Sequence, residues 1–215
     1  MAEIDLELGN VLIPSGTLKA MIVVINYGVG NLRSVLNGIK AVHGVAKVSS
    51  DPEEITNASG LIFPGVGAFK SAIEKLKSLR EKIPDVPKLG ICLGMQLFAD
   101  LSYENGLHEG LGYVPGEVVR FPRFVGKVPH MGWNEIRIKE GTEILEGIED
   151  RSMVYFVHSY FLKTDSKFVV AETEYGVTFP SAIEKGSCYG LQFHPEKSGD
   201  VGLKILENFV RITKR

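Results

Sequence analysis

The sequence has few cysteines, no long apolar run and no excess of either charge. Two cysteines in 215 residues cannot form a disulfide framework, which favours a reducing compartment such as the cytoplasm. The longest unbroken apolar stretch, residues 20–25, is too short to span a bilayer, so no membrane association is expected. Lysine and arginine total 24 against 26 acidic residues, a net charge of -2 that argues against nucleic acid as a partner.

Short apolar runs alternate with amphipathic stretches in the first half of the chain. Four β-branched or apolar runs predict buried strands, at 21–26, 45–48, 60–63 and 89–92. Apolar residues spaced three and four apart predict helices over 31–42, 68–83 and 93–99. This alternation predicts an α/β fold with a mostly parallel central sheet flanked by helices.

The second half is rich in alternating polar and apolar residues. Prolines and glycines interrupt the stretch 110–139, which predicts antiparallel strands and hairpins. Four further strands and a final helix are expected, at 153–157, 168–173, 181–184, 188–193 and 202–212. We expect this antiparallel portion to extend the same sheet within one domain, 21–215. Residues 1–20 precede it and are expected to be an upstream start or a poorly packed extension.

One segment has the form of a nucleophile elbow. Gly90-Ile91-Cys92-Leu93-Gly94 lies where a predicted strand gives way to a helix, with cysteine in the nucleophile position. The tight turn requires glycine on both sides, and the positive end of the helix dipole favours thiolate over thiol. The alternative is a small buried cysteine beside glycines that serve packing.

A candidate base follows about a hundred residues downstream. Pro195 disfavours a helical conformation at His194, so His194 and Glu196 are expected to project to one side of an extended segment. The carboxylate would then fix the tautomer of the imidazole and stabilise its protonated form. Cys92, His194 and Glu196 are therefore the predicted catalytic residues. The alternative is a surface histidine next to a solvated carboxylate.

A thiolate attacking a carbonyl needs an oxyanion hole made of backbone N–H groups. The amide of Leu93, at the helix start, is one candidate. The turn Gly65-Val66-Gly67, after a neighbouring strand, is the second, because glycine lets a peptide rotate its N–H into the site. It is otherwise a simple strand-to-helix turn. The glycine spacings match no phosphate-binding motif and no metal-ligand spacing is present, so neither nucleotide nor metal is expected.

The remaining histidines and the second cysteine are given structural interpretations. His43 and His108 adjoin loop glycines and are expected to be exposed. His130 and His158 lie among aromatic residues and are expected to line a cleft or a partner surface. Cys188 lacks flanking glycines in the elbow pattern and is expected in the core.

Taken together, these residues resemble the class I (triad) glutamine amidotransferases. Within that class, the glutaminase subunits of imidazole glycerol phosphate synthase are similar to this chain in six motifs. They are YGVGNL at 27–32, PGVG at 64–67, GICLGMQ at 90–96, PHMGWN at 129–134, YFVHSY at 155–160 and QFHPEKS at 192–198. Any one motif is weak, but six in the family's order are specific.

The resemblance implies hydrolysis of glutamine to glutamate without a cofactor. Ammonia would pass to a separate (β/α)8 cyclase subunit, in a heterodimer that serves histidine biosynthesis. The glutamine contacts that it implies are Gln96, Glu104, Ser159 and Tyr160. The partner surface that it implies includes Trp133, Asn134, Tyr155 and Lys197.

Three other functions stay open at the level of sequence. The first is the glutaminase of a different ammonia-transferring synthase. The second is a cysteine hydrolase, such as a peptidase or γ-glutamyl hydrolase, built on a similar elbow. The third is a non-catalytic binding module in which Cys92 merely packs.

Overall fold

The computed structural model describes residues 21–28, 30–139 and 141–215. The expected extension, residues 1–20, lies outside the described residues, as does Val29 of the YGVGNL motif. Within the described part of the chain, no helix combines the length and apolarity needed to cross a membrane.

Helices and strands alternate first, and strands dominate later. The helices are α1 (Leu32–Ala41), α2 (Pro52–Thr56), α3 (Phe69–Leu76), α4 (Leu93–Leu97) and α5 (Gly199–Ile212). The strands of the first half are β1 (Met21–Ile25), β2 (Val45–Ser49), β3 (Gly60–Phe63), β4 (Lys88–Ile91), β5 (Leu101–Ser102) and β6 (His108–Glu109). Those of the second half are β7 (Glu117–Arg120), β8 (His130–Glu135), β9 (Arg137–Ile138), β10 (Met153–His158), β11 (Tyr160–Lys163), β12 (Val169–Glu174), β13 (Thr178–Lys185) and β14 (Cys188–Leu191).

An eight-stranded mixed sheet forms the centre of the molecule, in the order β2-β1-β3-β4-β14-β13-β12-β9. The first five strands pair in parallel. The last three are antiparallel to their neighbours. The predicted α/β fold, with a mostly parallel sheet and an added antiparallel portion, is confirmed.

Two smaller sheets correct the expectation that the whole second half extends the central sheet. Strand β8 pairs with β10, and β11 joins β7, β5 and β6. The predicted hairpins within 110–139 are wrong, because β7 and β8 pair with later strands instead of with each other. A 3-10 turn at Arg123–Val125 separates these two strands and redirects the chain.

Two helices also differ from the sequence prediction. Helix α3 ends at Leu76, and a separate 3-10 turn at Arg80–Lys82 follows where a continuous helix was predicted. Helix α2 was not predicted. It begins where the Asp51 side chain accepts a hydrogen bond from the Glu53 amide at 2.9 Å, with Pro52 in the first helical position.

The central sheet is buried on both faces. In β1, Ile22 and Val24 pack into one apolar cluster. Val23 and Ile25 pack into the cluster on the opposite face. Because successive strand residues point to opposite faces, this arrangement explains why the sequence of β1 is apolar throughout.

The pairing of β4 with β14 determines where the candidate site lies. Gly90 is opposite Gly190 and Ile91 is opposite Leu191, in parallel register. The segments that follow the two strands therefore leave the sheet at the same edge. In this way the fold brings Cys92 close to the segment containing His194, although about a hundred residues separate them in sequence.

Candidate active site

Cys92 occupies a strained turn between β4 and α4. Its backbone has φ 51° and ψ -104°, in a region that residues with a side chain rarely adopt. Its amide donates a hydrogen bond to the Leu191 carbonyl at 2.7 Å, which ties the turn to β14. Strain of this kind persists only where the surroundings enforce it, and it is concentrated at functional sites.

The glycines flanking Cys92 are in close contact with the backbone. A Cβ atom at Gly90 would lie 2.6 Å from the Met95 nitrogen. One at Gly94 would collide with the carbonyl oxygen of Phe63, the last residue of β3. Both positions therefore exclude any side chain, as the elbow pattern predicts.

His194 and Glu196 form a buried pair. Atom Nδ1 of His194 lies 2.8 Å from Oε1 of Glu196, and each side chain is 1% exposed. The His194 backbone is extended as expected, but the expected extended segment through Glu196 is wrong, because Pro195–Lys197 form a 3-10 turn. Since a carboxylate accepts the proton on Nδ1, the lone pair of the neutral ring lies on Nε2. Within the described residues Nε2 has no hydrogen-bond partner of ordinary geometry.

The ring of His194 is strongly basic despite its burial. Desolvation lowers its pKa, but the neighbouring Cys92 sulfur and the Glu196 carboxylate outweigh that effect and raise the pKa to about 10. The site therefore favours the protonated, imidazolium form of His194. This is the charge state that a cysteine nucleophile requires.

The raised pKa of His194 predicts a pH-dependent contribution to stability. An unfolded histidine titrates near 6.5, so the contribution is complete below that pH and is lost as pH rises towards 10. Replacing Glu196 by Gln removes one source of the shift. The natural chain should lose free energy of unfolding as pH rises from 6 to 10. We expect this loss to be about 2 kcal/mol smaller in Glu196→Gln. Urea titrations at both pH values measure this difference, and equal losses would contradict it.

Nine residues predicted from sequence line one cleft of 360 Å³. They are the oxyanion candidates Gly65, Val66, Gly67 and Leu93, the nucleophile candidate Cys92, and the glutamine contacts Gln96, Glu104, Ser159 and Tyr160. His194 and Glu196 are not among the lining residues. A ligand in the cleft would therefore meet Cys92 directly, while the histidine and carboxylate remain buried.

Gln96 presents a defined polar atom to the cleft. Its Nε2 donates hydrogen bonds to the Tyr160 carbonyl at 2.8 Å and to Oε1 of Gln192 at 3.1 Å. Both hydrogens of the amide nitrogen are used in this way, and no donor among the described residues bonds to Oε1 of Gln96, which leaves that oxygen to accept from a ligand. Glu104, which also lines the cleft, accepts a hydrogen bond from the Phe69 amide at 3.1 Å, and burial raises its pKa.

The candidate oxyanion turn packs directly against the elbow. A Cβ atom at Gly65 would lie 2.5 Å from the Leu93 nitrogen and would collide with the Ile91 carbonyl. Gly67 has φ 130°, which a side chain would oppose. The turn can therefore approach the first amide of α4 only because Gly65 has no side chain.

Sequence reasoning missed two residues around the nucleophile. The Tyr27 hydroxyl donates a hydrogen bond to the Pro64 carbonyl and so anchors the candidate oxyanion turn. Gln192 is fully buried, and its Nε2 donates to the Cys92 sulfur at 3.6 Å. Their positions in the sequence could have indicated both residues. Tyr27 follows the first predicted strand, and Gln192 is a polar residue at the end of an apolar strand.

The predicted partner residues fall into two groups. Trp133 is 54% exposed and its ring meets that of Tyr155 edge-on, with centroids 6.2 Å apart. The Lys197 ammonium lies 5.7 Å from the centre of the Tyr155 ring. Asn134 differs, because its Nδ2 donates to the Glu174 carbonyl at 2.9 Å and to His130 at 3.3 Å. Its polar atoms are therefore used within the chain.

The other histidines and Cys188 also have defined positions. His43 is exposed as predicted, whereas His108 is half-buried. His130 and His158 are buried, so neither lies on an outer surface, although His158 lines the cleft. Cys188 is buried, as predicted. Among the described residues, no group of three or more histidine, cysteine or carboxylate side chains is placed to hold a metal ion.

Comparisons with known proteins match this geometry to a family. The sequence model of the family "Glutamine amidotransferase class-I" matches residues 23–212. Imidazole glycerol phosphate synthase subunit HisH of Archaeoglobus fulgidus is 59% identical over 91% of this chain and 100% of its own length. A HisH subunit of Campylobacter jejuni is 43% identical, over 89% of this chain and 100% of its own.

A solved structure described as a glutamine amidotransferase superimposes with a TM-score of 0.70. It is 18% identical and covers 90% of this chain and 99% of its own, which supports the fold. Both the family match and the identities extend over nearly all of the described residues. The chain therefore belongs to the class-I glutamine amidotransferases and, within that class, to the family of imidazole glycerol phosphate synthase HisH subunits.

Proposed function

We propose that this chain is the glutaminase of an imidazole glycerol phosphate synthase, with Cys92, His194 and Glu196 as its catalytic residues. The observation that carries the proposal is the strained Cys92 elbow opening on a cleft, with a buried histidine–carboxylate pair at the same edge of the sheet. The enzyme class follows from the family.

The reaction begins with transfer of the Cys92 proton to Nε2 of His194. The thiolate attacks the carbon of the glutamine carboxamide, which forms a C–S bond and places negative charge on the oxygen. The raised pKa of His194 supports this charge-separated starting state, and the hydrogen bond from Gln192 to the sulfur stabilises the thiolate.

The oxyanion is held by backbone amides. The amide of Leu93, in the first turn of α4, and an amide of the Gly65-Val66-Gly67 turn are the proposed donors. The close approach of Gly65 to Leu93 supports a shared site for one oxygen atom. We infer that the second amide turns towards this oxygen when the partner subunit is engaged, since glycines on both sides of Val66 permit peptide rotation.

Collapse of the tetrahedral intermediate releases ammonia. The imidazolium of His194 gives its proton to the leaving nitrogen, the C–N bond breaks, and a glutamyl thioester remains on Cys92. His194 then takes a proton from water while the oxygen adds to the thioester carbon. The C–S bond breaks, sulfur regains a proton, and glutamate leaves.

Substrate recognition is assigned to the polar residues of the cleft. The free Oε1 of Gln96 can accept a hydrogen bond from a substrate N–H group. The half-buried Glu104 can attract the α-ammonium group of glutamine at close range. Ser159 and Tyr160 also line the cleft.

We propose that ammonia passes to a (β/α)8 cyclase subunit that docks on the β8–β10 pair, giving a heterodimer for histidine biosynthesis in the cytoplasm. Exposed apolar side chains of this pair support the docking surface: Met131, Trp133 and Met153. Tyr155 and Lys197 adjoin it through the ring and ammonium contact. Methionine and aromatic side chains are enriched at the cores of protein–protein interfaces.

Co-purification with a candidate cyclase subunit tests this function. We expect the isolated chain to hydrolyse glutamine slowly, and addition of the cyclase with its nucleotide ligand to raise the rate by orders of magnitude. The measurement is glutamate release with and without the partner, alongside formation of the cyclase product. Equal rates with and without the partner would contradict partner-dependent activation, and absence of glutamine hydrolysis in both would overturn the function.

A further inference from the structure

Two buried histidines outside the proposed catalytic group are joined by a hydrogen bond. Nδ1 of His130 lies 3.1 Å from Nε2 of His158. The two residues face each other across the β8–β10 pair, and they are 3% and 5% exposed. The mechanism above uses neither of them.

The neighbouring groups fix which nitrogen of each ring carries a proton. Nδ1 of His158 lies 2.8 Å from the Tyr160 carbonyl, which only accepts, so this nitrogen is the donor. Nε2 of the neutral His158 ring is then an acceptor, and Nδ1 of His130 donates to it. Nε2 of His130 in turn accepts from Asn134 Nδ2 at 3.3 Å. In each of these three hydrogen bonds, the donor is on the Asn134 side and the acceptor is on the Tyr160 side.

Both rings are held neutral and in place by their surroundings. The ring of His130 stacks between those of Phe156 and Tyr175, with centroid distances of 4.8 and 4.1 Å. Burial lowers the pKa of His130 to about 4 and that of His158 to about 3. A second charge here would also face the charged ring of His194, whose proximity further lowers the pKa of His158.

The chain of hydrogen bonds ends at the wall of the cleft. The Tyr160 carbonyl accepts two hydrogen bonds, one from Nδ1 of His158 and one from Nε2 of Gln96, each at 2.8 Å. Gln96 and Tyr160 both line the cleft. The other end, Asn134, lies on β8 next to the exposed Trp133, where its Nδ2 is also bound to the Glu174 carbonyl.

We propose that His130 and His158 are positioning residues that hold the Tyr160 carbonyl and, through it, the side chain of Gln96 in the orientation that receives glutamine. This inference rests on the proposed glutaminase function. We call the hydrogen-bonded series from Asn134 through His130 and His158 to Tyr160 the relay. It acts on substrate binding, because it meets the cleft at Tyr160 and Gln96, and Gln96 reaches the reacting sulfur only indirectly, through Gln192. Its loss should therefore raise the KM for glutamine more than it lowers kcat.

Two substitutions of His130 separate hydrogen bonding from packing. His130→Phe keeps an aromatic ring between Phe156 and Tyr175 but removes the donor to His158. His130→Asn loses the ring but keeps an N–H group near the position of Nδ1. We expect the KM for glutamine to rise about tenfold in His130→Phe, the effect of one lost buried hydrogen bond, and about threefold or less in His130→Asn. Changes in kcat should stay within about twofold in both.

These kinetics are measured on the full chain with the cyclase subunit present, together with the melting temperature of each variant. An unchanged KM in His130→Phe would overturn the relay, as would a larger KM increase in His130→Asn than in His130→Phe. If the natural chain does not hydrolyse glutamine, the proposed function is wrong and KM cannot be measured. The relay is then tested by which ring nitrogens of His130 and His158 carry protons.

Those proton positions are read by nitrogen NMR of the histidine rings in the natural chain near neutral pH. We expect His130 and His158 each to be protonated on Nδ1 and unprotonated on Nε2. A proton on Nε2 of either ring would overturn the relay whether or not the chain is a glutaminase, because the direction of the hydrogen bonds would be broken.

Discussion

Cys92→Ala should abolish glutamine-dependent synthesis and leave ammonia-dependent synthesis by the complex unchanged. Without the sulfur no thioester forms, and the remaining oxyanion donors cannot replace a nucleophile, so glutamine hydrolysis should fall by about 10³-fold or more. The backbone strain at φ 51° should change little, because alanine retains the Cβ atom and loses only the sulfur. The measurement compares product formation from glutamine and from ammonium in the same complex.

The second cysteine provides the matched control. Cys188 is also buried and forms no disulfide, but it lies within β14 and is not among the residues that line the cleft. Cys188→Ala should cost about 1–2 kcal/mol of stability and leave glutamine hydrolysis intact. Loss of both glutamine- and ammonia-dependent synthesis in Cys92→Ala would point to a structural role for Cys92. Equal losses of hydrolysis in the two variants would do the same.

Gly94→Ala should impair both stability and turnover, although the change adds a single methyl group. The new Cβ would collide with the Phe63 carbonyl and lie 2.7 Å from the Phe63 carbonyl carbon, so the start of α4 must move away from β3. Overpacking against backbone cannot be relieved by a rotamer change, and we expect a loss of about 3 kcal/mol. Since Cys92 and Leu93 move with the helix, turnover should fall about 100-fold.

Gly141→Ala is the control for the added methyl group. A Cβ atom at Gly141 meets nothing within 4 Å in the described part of the chain, and its backbone is not in the left-handed region. Its stability and glutamine turnover should remain close to those of the natural chain. Chemical denaturation and steady-state glutamine hydrolysis measure stability and turnover in both variants. If Gly94→Ala matches Gly141→Ala in both, the elbow tolerates a shift of α4 and the prediction is wrong.

The local parts of the fold could be predicted because single stretches of sequence encode them. The run at 60–63 is apolar and ends at a proline–glycine turn, and it forms β3 with the predicted bounds. The elbow could be predicted for the same reason, since the steric demand on Gly90 and Gly94 arises within one strand–helix turn. His194 and Glu196 are two residues apart, so their pairing also has a local signature.

Pairing between distant segments could not be predicted in the same way. Nothing in the sequence of β8 indicates that His130 meets His158 of β10, because strand pairing depends on how the intervening chain packs. Tyr27 and Pro64 are 37 residues apart, and Gln192 and Cys92 are 100 apart, yet both pairs are in contact. The tautomers of His130 and His158 likewise become fixed only when three-dimensional neighbours supply a carbonyl and an amide.

The hydrogen bond from the Cys92 amide to Leu191 has a consequence for synthesis of the protein on the ribosome. A nascent chain that ends before Cys188 already contains the elbow residues, but it lacks the strand that ties down their backbone and also lacks His194. The nucleophile therefore becomes competent only after β14 and His194 have been translated. Incomplete chains should release no ammonia from the cell's glutamine, and the order of residues along the chain provides this protection without an inhibitor.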